Sequence, residues 1–362
     1  MTDKMKVYTK IMQKLKKMMP QTPQNQMVTI AMMVAGIVWG RKAQLSNISL
    51  EVPHPAKPAS LEKRMHRFVK NKRFEVAVNY LPFARLILTH LADKPLVLAI
   101  DGSTVGRGCM AIVVGVIYKQ RAIPLTWLVY KGKKGHTTPE RHIALLQKVL
   151  PLLPEGVQVV LLGDGEYDTT EMLEWVTEQT DWEFVVRTAK NILITHNGIQ
   201  YPLRELCAAQ GTCTAASDVL FTAQEFGPVL AIAWWGKSYK DPIFLISNCD
   251  SFMVACRYYR RRFRLETLFS DQKSRGFHID KSHLSDPTRL SRLLLASSLA
   301  YIWLIHLGML VFQDESLRSL IDRTHRTDKS LFRLGLDWVK YSMTHGLDIA
   351  VAFHLFGQPA LT

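Results

Sequence analysis

The chain has 362 residues, 48% of them apolar and 21% charged, which supplies hydrophobic cores and excludes a disordered protein. Its 46 Lys and Arg against 31 Asp and Glu leave a formal charge of +15, which favours a polyanionic partner: nucleic acid first, an anionic membrane surface second. The five cysteines, Cys109, Cys207, Cys213, Cys249 and Cys256, lack any C-x-x-C spacing; neither a zinc ribbon nor a disulfide framework is indicated, and a reducing cytoplasm fits best.

Residues 1–90 are basic and helix-prone and read as a separate small module, with a loop expected between Ser46 and Ser60 around Pro53, Pro55 and Pro58. The apolar run Met27 to Gly40 comes late after the first lysines and is followed by Arg41 and Lys42, so it reads as a buried helix and not a leader. Leu96 to Asp101 is a short apolar run ending in an acid, and Ala111 to Tyr118 and Ile123 to Tyr130 add two more strands. Thr137-Thr138-Pro139-Glu140 has capping-box spacing and opens a helix. Val157 to Leu162 reads as a fourth strand closed by Gly163-Asp164-Gly165, Asp168 as the N-cap of the next helix, and Trp182 to Arg187 as a fifth strand. The predicted order is therefore β-β-β-α-β-α-β over residues 91–187.

Residues 188–247 break this rhythm with short β-like pieces and read as a β-rich insertion domain. From about Met253 a long basic helix is expected, and after Asp286-Pro287 an apolar helix containing the uncharged run Leu293 to Phe312. That run is long enough to span a bilayer, but it is the only such run and reads as a core helix, so no membrane partner is expected. Residues 248–362 thus carry the second part of the core and the C-terminal helices.

On a single helix from Tyr259 to Lys273, steps of four and seven residues would return Tyr259, Arg262, Glu266 and Lys273 to one face. A lone acid among Arg260, Arg261, Arg262, Arg264, Lys273 and Arg275 is on most helices a solvated salt-bridge partner. Here two further acids, Asp101 and Asp164, fall where the fold order brings them beside it. Three carboxylates from two strands and a late helix form an all-oxygen set suited to Mg²⁺ or Mn²⁺. Such ions activate a water or a 3′-hydroxyl and stabilise the leaving oxygen of a phosphoryl displacement.

The pattern Tyr259-x2-Arg262-x3-Glu266-x6-Lys273 together with the two acids resembles the signature of the insertion sequence 4 family of bacterial DDE transposases, over roughly residues 95–315. The 102 residues between Asp164 and Glu266 require an insertion, which in that family is β-rich and sits at this place. Phe263 stands where many relatives carry tryptophan.

The resemblance implies an α/β protein whose ribonuclease-H-like catalytic core, a mixed sheet flanked by helices, is interrupted by the insertion and preceded by a helical DNA-binding domain. It implies that Asp101, Asp164 and Glu266 hold Mg²⁺, with Mn²⁺ as substitute, and that Tyr259, Arg262 and Lys273 hold a DNA phosphate. Trp234 or Trp235 would stack on a flipped base in a hairpin, although a Trp pair in a β-like run reads equally well as core. The activity implied is binding of terminal inverted repeats, metal-dependent cut-and-paste excision through hairpin ends, and strand transfer into target DNA. The partners are double-stranded DNA and a second copy in a synaptic homodimer, and the place a bacterial cytoplasm beside the nucleoid. Two rival readings are a nuclease of the same core that cleaves DNA without joining it, and a catalytically silent DNA-binding repressor. The loop Lys131-Gly-Lys133-Lys134-Gly-His136 is compatible with phosphate contacts or with a solvated turn.

Overall fold

The structure, a computed structural model, describes residues 3–135, 137–322 and 328–356; His136 lies outside them. Five helices come first: α1 (Asp3–Met18), α2 (Gln24–Gly40), α3 (Leu45–Glu51), α4 (Pro58–Lys70) and α5 (Val76–Leu91). There follow β1 (Leu96–Gly106), β2 (Cys109–Tyr118), β3 (Arg121–Lys131), α6 (Pro139–Val149), β4 (Val159–Gly163), α7 (Thr170–Gln179) and β5 (Glu183–Arg187), the element order the sequence pattern predicts. The chain continues through β6 (Leu193–His196), β7 (Ile199–Pro202), β8 (Cys213–Phe221), β9 (Phe226–Trp234) and β10 (Ile243–Ser247). It ends with α8 (Phe252–Tyr259), α9 (Arg264–Gln272), α10 (Pro287–Gln313), α11 (Glu315–Ile321) and α12 (Leu331–His345).

The strands form one ten-stranded sheet in the order β3-β2-β1-β4-β5-β10-β9-β8-β6-β7. Among the described residues only the β1–β4 and β4–β5 pairs are parallel. These strands are buried along most of their length, which is why Leu96–Ile100 and Val159–Gly163 are continuous apolar runs and do not alternate. Strands β6 to β9, from the stretch that reads as an insertion, extend this same sheet, because β10 pairs with β5 on one side and β9 on the other.

Several local expectations are corrected. The segment from Ser46 to Ser60 is not all loop, since α3 runs to Glu51 and α4 starts at Pro58. The N-terminal helices pack against the rest of the chain: Arg292 of α10, 3% exposed, donates to the carbonyls of Val69 and Phe74, and the Tyr80 hydroxyl donates to the Pro124 carbonyl. The buried side chains of α2, α4 and α5 therefore join the core built on the sheet and α10. The N-cap of α6 is Thr138 and not Thr137, and that of α7 is Thr169 and not Asp168. Thr137 is drawn aside by Glu166, to which its hydroxyl donates.

Helix α10 is the central strut. By length and composition it could cross a membrane, but 94% of its most apolar window is buried inside the protein. Its start is fixed by Pro287 in the first turn and by the Asp286 carboxylate, which accepts from the Arg289 amide at 2.9 Å. Against it lies α12, with glycines at both points of closest approach: a Cβ on Gly308 would collide with the Leu331 carbonyl, and one on Gly335 with the Leu304 carbonyl. Neither carbonyl can move without shifting its helix. Gly308→Ala should therefore destabilise the protein by about 1–3 kcal/mol, although alanine is favoured by about 1 kcal/mol in a helix interior. Urea unfolding measures the difference, and an unchanged or raised midpoint would show that the helices separate at little cost.

Candidate active site

The parallel β1–β4 ladder ends at the pair Ile100 and Gly163, and the next residue on each strand is an acid, Asp101 and Asp164. Both thus stand just past the carboxyl end of the parallel ladder, where α/β sheets place their sites. Asp101 is not the last residue of its strand as expected, because β1 runs on to Gly106 against β2. Each carboxylate accepts from the following glycine amide, Gly102 at 2.7 Å and Gly165 at 2.9 Å. Asp101 is buried, whereas the Asp164 side chain is 26% exposed.

The third acid arrives on α9. The expected long helix is two: α8 stops at Tyr259, and the junction is drawn into i to i−3 bonds, from the Arg261 amide to Tyr258, Arg262 to Tyr259, Arg264 to Arg261 and Leu265 to Arg262. This tighter winding rotates α9 relative to α8, so Tyr259, Arg262, Glu266 and Lys273 do not share one face of a continuous helix. It also sends Arg262 into the protein while Arg260 and Arg261 stay in solvent. The far end of α9 is held to β3 by the buried pair Asp271–Arg121 at 3.1 Å; burial lifts the Asp271 carboxyl to about 6 despite the guanidinium.

Arg262, 3% exposed, is the hub. Nη1 lies 3.3 Å from Asp101 Oδ2 and 3.6 Å from Asp164 Oδ2, and Nη2 donates to Glu266 Oε1 at 2.9 Å. One guanidinium thereby gathers the three acids that the sequence selects. Burial opposes its charge, but Tyr259, Asp164, Asp101 and Glu266 outweigh this and hold its pKa above the usual value. Tyr259 lies beneath it, fully buried, its hydroxyl pushed up to about 12 mainly by burial. Lys273, at the C-cap of α9, donates to Ser103 Oγ at 2.6 Å. Within the basic loop that the sequence marks, it is Lys134 whose ammonium comes 3.1 Å from Asp101 Oδ1; nothing in the spacing of that loop tells which of its lysines reaches the acid.

The donor set consists of carboxylate oxygens alone and already surrounds a positive charge, so its chemistry fits a hard divalent cation. With the guanidinium between them, no three such groups among the described residues are close enough to form a metal cage by themselves.

Beside Asp164 opens a groove of about 790 Å³ lined by Arg187, Lys190, Arg204 and Trp235, among others. The two tryptophans differ. Trp234 is buried at the end of β9 against Tyr239, with the Arg260 guanidinium 4.8 Å from its ring. Trp235 is half-buried, anchored by its indole N–H to the Tyr239 carbonyl at 3.0 Å, and lines the groove.

In comparison with known proteins, residues 93–303, more than half of the chain, match the family described as transposase DDE domain. No curated protein sequence matches. Among solved structures the chain is similar to a piggyBac transposase synaptic complex with hairpin DNA, with a TM-score of 0.50 and 11% identity over 94% of this chain and 79% of that one. That likeness shows a shared fold, a large mixed sheet flanked by helices. Human ENDOV aligns with a TM-score of 0.24 and 12% identity over 59% of this chain and 94% of that one.

Proposed function

The chain belongs to the transposase DDE domain family, and from that premise we propose that it excises and inserts an insertion sequence of the insertion sequence 4 type, acting on terminal inverted repeats. The observation that carries the reading is the convergence of Asp101, Asp164 and Glu266, from β1, the turn after β4 and α9, on one guanidinium. The strand order β3-β2-β1-β4-β5, with β1, β4 and β5 parallel, supports a ribonuclease-H-like core.

In this reading the three carboxylates hold Mg²⁺, or Mn²⁺ in its place, which when bound supplies charge for activating a nucleophile and stabilising a leaving oxygen. In cleavage, a water oxygen bonds to phosphorus as the bond to the 3′ oxygen breaks; in joining, that freed 3′-hydroxyl bonds to a target phosphorus as the bond to the target strand's own 3′ oxygen breaks, and that oxygen leaves as a 3′-hydroxyl. Tyr259, Arg262 and Lys273 orient the phosphate, Arg with a fork of donors and Lys with a point charge. Trp235 is the better placed of the pair to stack on a base, since it lines the groove beside Asp164 while Trp234 is buried under Arg260. A hairpin intermediate would place that base there. Exposed Lys14, Lys16, Lys17, Lys63, Arg67, Lys70, Lys72 and Arg73 supply phosphate contacts for recognition of the repeat. Lys4, Lys6 and Lys10 are instead engaged with Glu51, Asp3 and Asp348. Joining two ends calls for two copies of the chain in the synaptic complex.

The test is to incubate the protein with Mg²⁺, a duplex bearing a pre-cleaved 3′-hydroxyl terminal repeat, and supercoiled plasmid. The expected result is covalent joining of the end to the plasmid. Cleavage of uncut ends without any joined product would overturn the reading in favour of a nuclease.

A further inference from the structure

The basic loop between β3 and α6 is tied into the candidate active site at two levels. Lys134 reaches Asp101 Oδ1 from the solvent side, with 53% of its side chain exposed. Asp101 already has Arg262 on its other oxygen and the Gly102 amide on Oδ1. With Lys273 on Ser103, two residues further along β1, the acid is flanked by two lysines, of which Lys134 is the more exposed. An incoming phosphodiester would meet this cation at the mouth of the site.

The loop does not rest there on the lysine alone. Glu166, two residues after Asp164, spends both carboxylate oxygens on it: Oε2 accepts from the Gly135 amide at 3.2 Å and Oε1 from the Thr137 hydroxyl at 2.7 Å. Thr137 has one proton, given to Glu166, so its 2.8 Å contact with His142 Nε2 is a hydrogen bond donated by the imidazole. His142 is buried on α6, its ring 4.6 Å from that of Tyr167. Glu166 is therefore turned away from the three-acid cluster. It joins the turn that carries Asp164 to the loop that carries Lys134, which fixes one relative to the other.

Resting on the assignment of the active site above, we propose that Lys134 is a further phosphate-binding residue of that site, and that Glu166, through Gly135 and Thr137, is the positioning residue that holds it there. A side chain that merely capped Asp101 would need neither this exposure nor a two-point clamp on its loop.

The experiment measures binding of the full-length protein to a fluorescein-labelled duplex of arbitrary sequence by anisotropy, across a salt series and without divalent metal. Lys134→Ala should weaken binding about fivefold to tenfold at low salt and lower the slope of log K against log salt by about one. Lys134→Arg should restore most of both. Glu166→Ala should reproduce the loss, and the Lys134→Ala/Glu166→Ala double variant should be no weaker than Lys134→Ala alone, because both changes remove one interaction. An unchanged affinity and slope in Lys134→Ala would overturn the phosphate role. Additive losses in the double variant would overturn the positioning role, since Glu166 would then act by another route. Because binding is read without cleavage, failure of the transposase reading, seen as absent joining by the parent protein, is distinguishable from failure here.

Discussion

Asp164→Ala is expected to lower DNA end cleavage and strand joining by on the order of 10³-fold or more, while the protein folds and binds DNA ends at least as tightly as the parent. The size follows from what the carboxylate is proposed to do. A single fixed group that stabilises developing charge is worth on the order of 10²–10³ in rate, and loss of a cation ligand removes the stabilising charge itself. The innocence of the change toward folding follows from the structure. Asp164 is 26% exposed, its contact with Arg262 is the longest of the three at 3.6 Å, and Arg262 keeps Asp101 and Glu266 when it goes. Removing a negative charge from a surface that meets phosphate can only help binding electrostatically. Asp101 calls for a gentler change, because it is buried among Arg262, Lys134 and the Gly102 amide; Asp101→Asn keeps the shape and one acceptor while removing the charge. Circular dichroism, an end-binding titration and a gel assay for nicked and joined products read the three outcomes separately. Cleavage surviving in Asp164→Ala would remove this residue from the catalytic set, and loss of binding together with cleavage would make it a structural residue.

The parts of the fold that could be read from sequence are those in which local pattern and tertiary role coincide. Leu96–Ile100 and Val159–Gly163 are apolar throughout because both faces of a parallel central strand are covered, and the acids that follow are visible as the point where the run breaks. The apolar α10 reads as core because its composition has no place in water, and Asp286-Pro287 marks its start. What failed did so where a tertiary contact overrides local preference. Four arginines and good helix formers between Arg257 and Lys273 predict one helix, but the pull of three acids on the buried Arg262 goes with a tightened turn that splits it into two. Thr137 has the spacing of a cap, but Glu166 and His142 recruit its hydroxyl instead. The tie of the N-terminal helices to α10 runs through Arg292, a charged residue on an apolar helix whose partners are carbonyls more than two hundred residues away in the chain. Composition holds no trace of such a contact.

Arg262→Met is expected to cost about 3 kcal/mol or more of unfolding free energy in metal-free buffer, and addition of Mg²⁺ or Mn²⁺ should restore much of it. Removing one partner of a buried ion pair typically costs about 3–5 kcal/mol because the other charge is left uncompensated. Here the stranded charge is Asp101, and the half-exposed Lys134 compensates only part of it, which sets the lower end of that range. Glu266, 51% exposed, turns to water at little cost, and Asp164 turns partly so. Methionine replaces the aliphatic stem of the arginine but not the guanidinium, whose carbon lies 5.7 Å and 4.8 Å from the ring centroids of Tyr259 and Phe263, so the loss measured is electrostatic in the main and not a cavity. A cation that binds the same acids stabilises only the folded chain, by about 2.7 kcal/mol at a hundredfold excess over its dissociation constant. In the parent the guanidinium competes for those acids, so added metal should raise the melting temperature less than it does in the variant. The comparison is read by calorimetry with and without each ion. A variant as stable as its parent in metal-free buffer would mean that Arg262 does not neutralise the acids, and equal metal-induced shifts in both proteins would mean that the ion binds elsewhere.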